Sequence, residues 1–173
     1  MFKNAYFAGG CFWCTESIFQ RVKGVSSVIP GYMGGYIKNP SYHEVCSGKT
    51  GHTETIKITY DKNIISYSQL LEIFFFTHDP TKLNRQGNDV GTQYRSAVFF
   101  ENQSEKKQIL ESISIFEKKK IYNESFVTEI NKKIEFYDAE TEHHDYYNQN
   151  KSQSYCQFVI RPKIKKFENL LNK

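Results

Sequence analysis

Two cysteines three residues apart, just beyond a pair of glycines, are the residues best placed to do chemistry: Gly9-Gly10-Cys11-Phe12-Trp13-Cys14-Thr15-Glu16. The apolar run Ala5-Tyr6-Phe7-Ala8 before them reads as a short strand, and residues 11–21 as a helix. A sulfur at the amino end of a helix meets backbone N–H groups that lack intrahelical partners. Together with the helix dipole these favour the thiolate, so Cys11 is expected to titrate below the ordinary thiol value of about 8.5. The glycines let backbone or ligand approach closely. Cys14, one helical turn on, shares a face with Cys11. A lone free cysteine is more often a small buried apolar residue; a pair at this spacing favours redox chemistry.

The other two cysteines, Cys46 and Cys156, are isolated, and His143 and His144 are adjacent rather than separated as zinc ligands are. No metal is expected on that spacing. A chain of 173 residues buries a core without disulfide staples, so the cysteines read as free thiols in a reducing, cytoplasmic compartment. The 23 Lys+Arg against 19 Asp+Glu leave a net charge of +4, which forms no dense basic stripe for nucleic acid. Lys118-Lys119-Lys120 and the lysines at 163, 165 and 166 read as solvated helix faces. No stretch approaches the roughly 18–20 apolar residues of a membrane span, and Met1-Phe2-Lys3-Asn4 opens no secretory signal. Aromatic residues make up 16% of the chain, too many for a disordered one.

The elements that must hold the cysteines follow from periodicity. Strands are expected at 25–29, 53–60 and 96–100, with shorter candidates at 126–130 and 134–137. Helices are expected over 66–77, where Ser66 is the cap, over 104–120, and after Pro162, where Ile164, Phe167, Leu170 and Leu171 make an apolar face. Strand-helix-strand-strand-helix-strand order predicts an α+β fold in one catalytic domain, residues 1–173. The expected form is a two-layer α/β sandwich with a central mixed sheet, a ferredoxin-like core and an irregular C-terminal segment. The order of the strands is not readable.

The run Gly-Cys-Phe-Trp-Cys-x-Glu resembles the active-site signature of the peptide methionine sulfoxide reductase A family. Further blocks are similar in order and spacing: Gly31-Tyr32-Met33-Gly34-Gly35, Asn39-Pro40-Ser41-Tyr42-His43-Glu44-Val45-Cys46-Ser47-Gly48, Thr50-Gly51-His52-Thr53-Glu54, His78-Asp79-Pro80-Thr81, Asn88-Asp89-Val90-Gly91-Thr92-Gln93-Tyr94-Arg95-Ser96 and His143-His144-Asp145-Tyr146. The resemblance implies Cys11 as the nucleophile that takes the sulfoxide oxygen, releasing methionine and leaving a sulfenic acid. It implies Glu54 as the acid at that oxygen, kept neutral by burial. Tyr42 and Tyr94 would share the oxygen with it, Asp89 would stand near the substrate, and Phe12 and Trp13 would wall the methyl group. From the residues alone, Glu54 reads as an outward-facing polar residue of the 53–60 strand. Asp89 reads as the cap of its glycine-flanked turn, and the tyrosines read as packing.

The resemblance further implies the S epimer as substrate, free or in oxidised proteins, and a monomer with no metal or bound cofactor. Its external reductant would be thioredoxin, or dithiothreitol in vitro. Two thiols could resolve the sulfenic acid. Cys14 is close by helical geometry; Cys156 stands where other members place a resolving cysteine, and the expectation leans to it. Many members have Gly at the position of Cys14, His144 replaces a usual Gln, and Cys46 reads as structural. The run from 143 to 147 is expected to cap and pack a short helix beside the site. A general thiol–disulfide oxidoreductase using Cys11 and Cys14 is the rival reading, and it leaves Glu54 and both tyrosines idle. A non-enzymatic metal or redox-sensing module lacks a second ligand pair.

Overall fold

Alternation of side chains along the strands decides what faces what in this protein, and the site inherits that phase. The computed structural model describes residues 1–172. In chain order they form β1 (Phe2–Ala8), α1 (Phe12–Phe19), β2 (Val25–Met33), α2 (Tyr42–Cys46), β3 (Thr53–Asp61), α3 (Tyr67–Thr77), β4 (Arg85–Gln86), β5 (Asp89–Val90), β6 (Ala97–Phe100), α4 (Gln103–Lys118), β7 (Glu129–Lys132), β8 (Tyr137–Asp138), α5 (Tyr146–Gln149) and α6 (Arg161–Leu171). Six strands make one sheet in the order β7-β6-β1-β3-β2-β8, and β4 and β5 form a separate hairpin. Within the large sheet only the β6–β7 pair is parallel, so the sheet is mixed.

Side chains two apart on a strand share a face. Ala5 and Phe7 of β1 enter the main core, while Tyr6 and Ala8 join a smaller cluster with Met33, Ala97 and Phe99. Along β3, Ile56, Ile58 and Tyr60 enter the main core. There they meet Ile18 and Phe19 of α1, Leu70, Leu71, Phe74 and Phe75 of α3, Ile109 and Phe116 of α4, and Ile164 and Phe167 of α6. Glu54 lies in phase with Ile56 and Ile58, on the face the helices cover. Ser66 opens α3 with a reciprocal capping box to Gln69, as its sequence predicts.

Three expectations need correction. The C-terminal segment is not irregular: α5 leads to a π-helical turn, Cys156–Ile160, that runs into α6. Cys156, Ile160, Ile164 and Phe167 recur every three or four residues and are all buried, a helical stripe docked on the core. The late strands are shifted, to Glu129–Lys132 and Tyr137–Asp138, because Phe126 packs into the core from outside the sheet. The short helix α2 was not expected, although Ser41 and Glu44 form a capping box that sets its start. Among the described residues no helix is long and apolar enough to cross a membrane.

Candidate active site

β1 delivers the chain to the Gly9-Gly10 bend, which turns it into α1. Gly10 has φ +88°, and a Cβ there would lie 2.7 Å from the Gln86 side chain, so the bend needs glycine twice over. Cys11 is the N-cap of α1, with extended backbone and no side-chain capping bond. The first N–H of the helix, that of Phe12, donates to Glu54 Oε1 at 3.1 Å. The helix start therefore docks on β3 through a carboxyl group rather than through its own cap.

Glu54 is 1% exposed, and its second oxygen, Oε2, is buried with no hydrogen-bond partner. Burial pushes its pKa up to about 8; the Phe12 N–H opposes the rise, and nearby Asp89 and Cys14 add to it. Glu54 is therefore protonated at neutral pH. An ionised carboxylate oxygen left unpaired in this setting would be costly. A neutral carboxyl whose free oxygen carries the proton is a poised donor.

The two thiols of the helix start are near enough to shift each other's ionisation. This proximity lowers Cys14 to about 7, against burial, with help from the Lys163 charge and the Tyr155 hydroxyl. Cys11 moves the other way: burial, Cys14 and Glu54 raise it, and the Trp13 N–H recovers only part. The expectation of a depressed Cys11 is thus overturned for the closed site. The helix-terminal N–H group is present, but water is excluded and the neighbouring sulfur competes for the charge. The first proton lost belongs to the pair, and it leaves the charge on Cys14.

Tyr42 starts α2, with its ring 6.2 Å from Phe12 and 4.3 Å from His143. Tyr94 ends the short 3-10 turn Thr92–Tyr94. Burial, then the charge of Glu54, raises the pKa of both hydroxyls, so both remain proton donors. Phe12 is fully buried against Tyr32 and His143. Trp13 stacks on Tyr146 with centroids 3.8 Å apart, and Tyr155 stands edge-on to it at 5.8 Å. Asp89, in β5, does not cap its turn through Oδ2: that oxygen accepts the Tyr155 hydroxyl, which also lies 3.7 Å from Cys14 Sγ. The structure thus gathers Cys11, Cys14, Glu54, Tyr42, Tyr94, Asp89, Phe12 and Trp13 in one place. Cys156 is buried on the Cys14 side. Cys46 is partly exposed at the edge, beside Tyr42.

Several site residues were missed in the sequence. Glu140 accepts the Tyr32 hydroxyl at 2.9 Å on one oxygen and the Tyr42 N–H at 2.8 Å on the other, tying β2 to α2. His143 is not a helix cap: its Nδ1 accepts the Trp13 indole N–H at 3.1 Å. Glu140, Glu142 and His143 come close enough to hold a cation, but Glu140 and Nδ1 of His143 are already engaged in these bonds. His144 Nε2 bonds the Ala139 carbonyl, and Asp145 precedes α5 without a side-chain cap. Nothing periodic marks Tyr155 or Glu140; the only signal for Tyr155 was its place beside Cys156.

Glu16 fastens the 140s to α1 by accepting the Asp145 N–H at 2.9 Å. Burial lifts its pKa from 4.5 to about 7. The folded state therefore holds this proton more tightly than the unfolded chain, and stability is lost as pH rises from about 4.5 to about 7. Glu16→Gln keeps an acceptor and removes the titration. The Tm of the variant is expected to gain on that of the wild type between pH 5 and pH 7.5, measured by thermal unfolding. A constant difference across that range would show that Glu16 is not held neutral.

The family model described as "Peptide methionine sulfoxide reductase" matches residues 3–173. The peptide methionine sulfoxide reductase MsrA of Saccharolobus solfataricus is 53% identical over 166 residues, 96% of this chain and 93% of its own length. Among solved structures, reduced Mxr1 from Saccharomyces cerevisiae superposes with a TM-score of 0.84 at 31% identity, covering 90% of this chain and 89% of that one. Methionine sulfoxide reductase A of Corynebacterium diphtheriae gives 0.77 at 32% identity, covering 86% and 75%. Sequence similarity over nearly the whole length and a shared fold agree with what the paired thiols and the buried acid can do, and the chain belongs to the peptide methionine sulfoxide reductase family.

Proposed function

We propose that Cys11, Glu54, Tyr42, Tyr94 and Asp89 carry out the reduction of methionine-S-sulfoxide, free or in oxidised proteins, with Phe12 and Trp13 forming the wall for the methyl group. The observation that carries the assignment is the unpartnered Glu54 Oε2, in a carboxyl that burial keeps protonated beside Cys11. A sulfoxide oxygen is a strong acceptor, and it supplies the partner this oxygen lacks. Tyr42 and Tyr94 supply neutral hydroxyls on the same side.

The pair's single proton passes from Cys11 to Cys14, which places the thiolate on Cys11. Its sulfur attacks the sulfoxide sulfur while Glu54 gives its proton to the oxygen. Oxygen passes to Cys11, whose sulfur gives up two electrons to the methionine sulfur. Methionine leaves, and Cys11 becomes a sulfenic acid. We assign resolution to Cys14, because it stands in the same helical turn as Cys11, its N–H donating to the Cys11 carbonyl at 3.0 Å, and its thiol titrates near 7. Attack of Cys14 on the sulfenic acid forms the Cys11–Cys14 disulfide and releases water. Thioredoxin, or dithiothreitol in vitro, reopens it by thiol–disulfide exchange. We read residues 1–173 as a single catalytic domain acting as a monomer in the cytoplasm. It would need no bound cofactor and no nucleic-acid or membrane partner. The inner strand order β6-β1-β3-β2 supports a ferredoxin-like reading of the core.

Incubation with dithiothreitol and each sulfoxide epimer tests the reading: the S epimer is consumed and the R epimer is not. Consumption of neither, with disulfides of a model protein reduced instead, favours the thiol–disulfide oxidoreductase. With thioredoxin as reductant, Cys14→Ser is expected to turn over once and accumulate a dimedone-reactive sulfenic acid, while Cys156→Ser continues. The reverse result returns resolution to Cys156.

A further inference from the structure

Among the described residues, Tyr155 is the one polar side chain of the C-terminal segment that reaches both Asp89 and a reactive thiol, and the reduction step above gives it no task. Its hydroxyl donates to Asp89 Oδ2. Its single proton is thereby committed, so towards Cys14 Sγ, 3.7 Å away, the oxygen is an acceptor for the S–H. The result is a chain of three groups, Cys14 S–H to Tyr155 O–H to Asp89 carboxylate.

We infer that Tyr155, anchored on Asp89, is a positioning residue for the second half of the cycle, orienting the Cys14 sulfur and receiving its proton during attack on the Cys11 sulfenic acid. The inference rests on Cys14 as the resolving thiol. In balance, the Cys14 proton moves to the Tyr155 oxygen as the Tyr155 proton moves to Asp89. The Cys14 sulfur attacks the Cys11 sulfur and the S–O bond breaks. The departing hydroxide takes a proton returned from Asp89 and leaves as water. Cys14 sulfur is oxidised, Cys11 sulfur is reduced, and no further oxidant is required.

Other groups also face Cys14: Cys11 on the helix N-cap, Cys156 from the π-helical turn, and Lys163 from α6, whose charge favours the thiolate. When the Tyr155 hydroxyl is removed, the Lys163 charge still favours that thiolate, so the proton-accepting path is lost but ionisation is not. Tyr155 itself stays protonated at rest, since burial and the surrounding negative groups raise its pKa.

The test is a reductant-free single turnover of wild type and Tyr155→Phe, which keeps the ring against Trp13. Methionine release is followed by rapid quench, and Cys11–Cys14 bond formation by thiol counting and mass mapping, across pH 6 to 9. The variant is expected to slow disulfide formation at least about tenfold more than methionine release. The pH midpoint of disulfide formation is expected to move upward by about one unit, and the sulfenic acid becomes trappable with dimedone. Equal slowing of both steps, or an unmoved midpoint, overturns the inference. Absence of methionine from wild type would overturn the proposed activity instead, and a Cys11–Cys156 bond in wild type would overturn the choice of Cys14.

Discussion

Cys11→Ser leaves a folded protein that releases no methionine, with turnover down on the order of 10⁴-fold or more, as for loss of a nucleophile. A serine hydroxyl is not ionised at neutral pH, and oxygen cannot take over the sulfoxide oxygen as sulfur does. The same change should not cost stability. Cys11 is the N-cap of α1 and caps nothing with its side chain, whereas serine is a favoured N-cap that can accept an orphan N–H, worth up to about 1 kcal/mol. An inactive variant with an equal or higher Tm separates lost chemistry from lost fold. Activity within tenfold of wild type would mean that another thiol attacks the substrate.

Glu54→Gln is expected to lower kcat/KM by on the order of 10²-fold, the usual effect of removing a positioned acid. Its second signature is in the pH profile. Wild-type activity rises as the thiol pair ionises near pH 7 and falls as Glu54 loses its proton near pH 8, giving a narrow optimum between the two. Glutamine has no proton to lose, so the alkaline limb should disappear from kcat/KM while the acid limb stays. A falling limb that survives at the same pH in the variant would assign the alkaline group elsewhere.

The strand, the double-glycine bend and the helix that present Cys11 were legible because each is a local signal: an apolar run, a flexible bend, then an amphipathic turn. Glu54 was legible only through the family blocks, yet the phase of Ile56, Ile58 and Tyr60 already pointed it toward the helices. The outward reading of Glu54 followed from its polar side chain rather than from its place in the alternation. Strand order was out of reach because non-local pairings such as β1 with β6 leave no local trace. The ionisation of Cys11 was misread for a related reason. A helix N-terminus is visible in sequence, whereas the burial that outweighs it comes from residues far along the chain, including the segment around 143–155. The helical stripe of Cys156, Ile160, Ile164 and Phe167 was present in the spacing, and it was masked by the polar stretch Asn148-Gln149-Asn150-Lys151-Ser152-Gln153 before it.

The chain has one tryptophan, and it sits between the two reactive thiols in sequence, flat against Tyr146 and edge-on to Tyr155. All indole emission of this protein therefore originates at the place where its chemistry happens. Cysteine sulfur and tyrosine rings are both close enough to alter that emission, so oxidation of the pair should change its intensity or colour without any attached label. The molecule is its own optical probe.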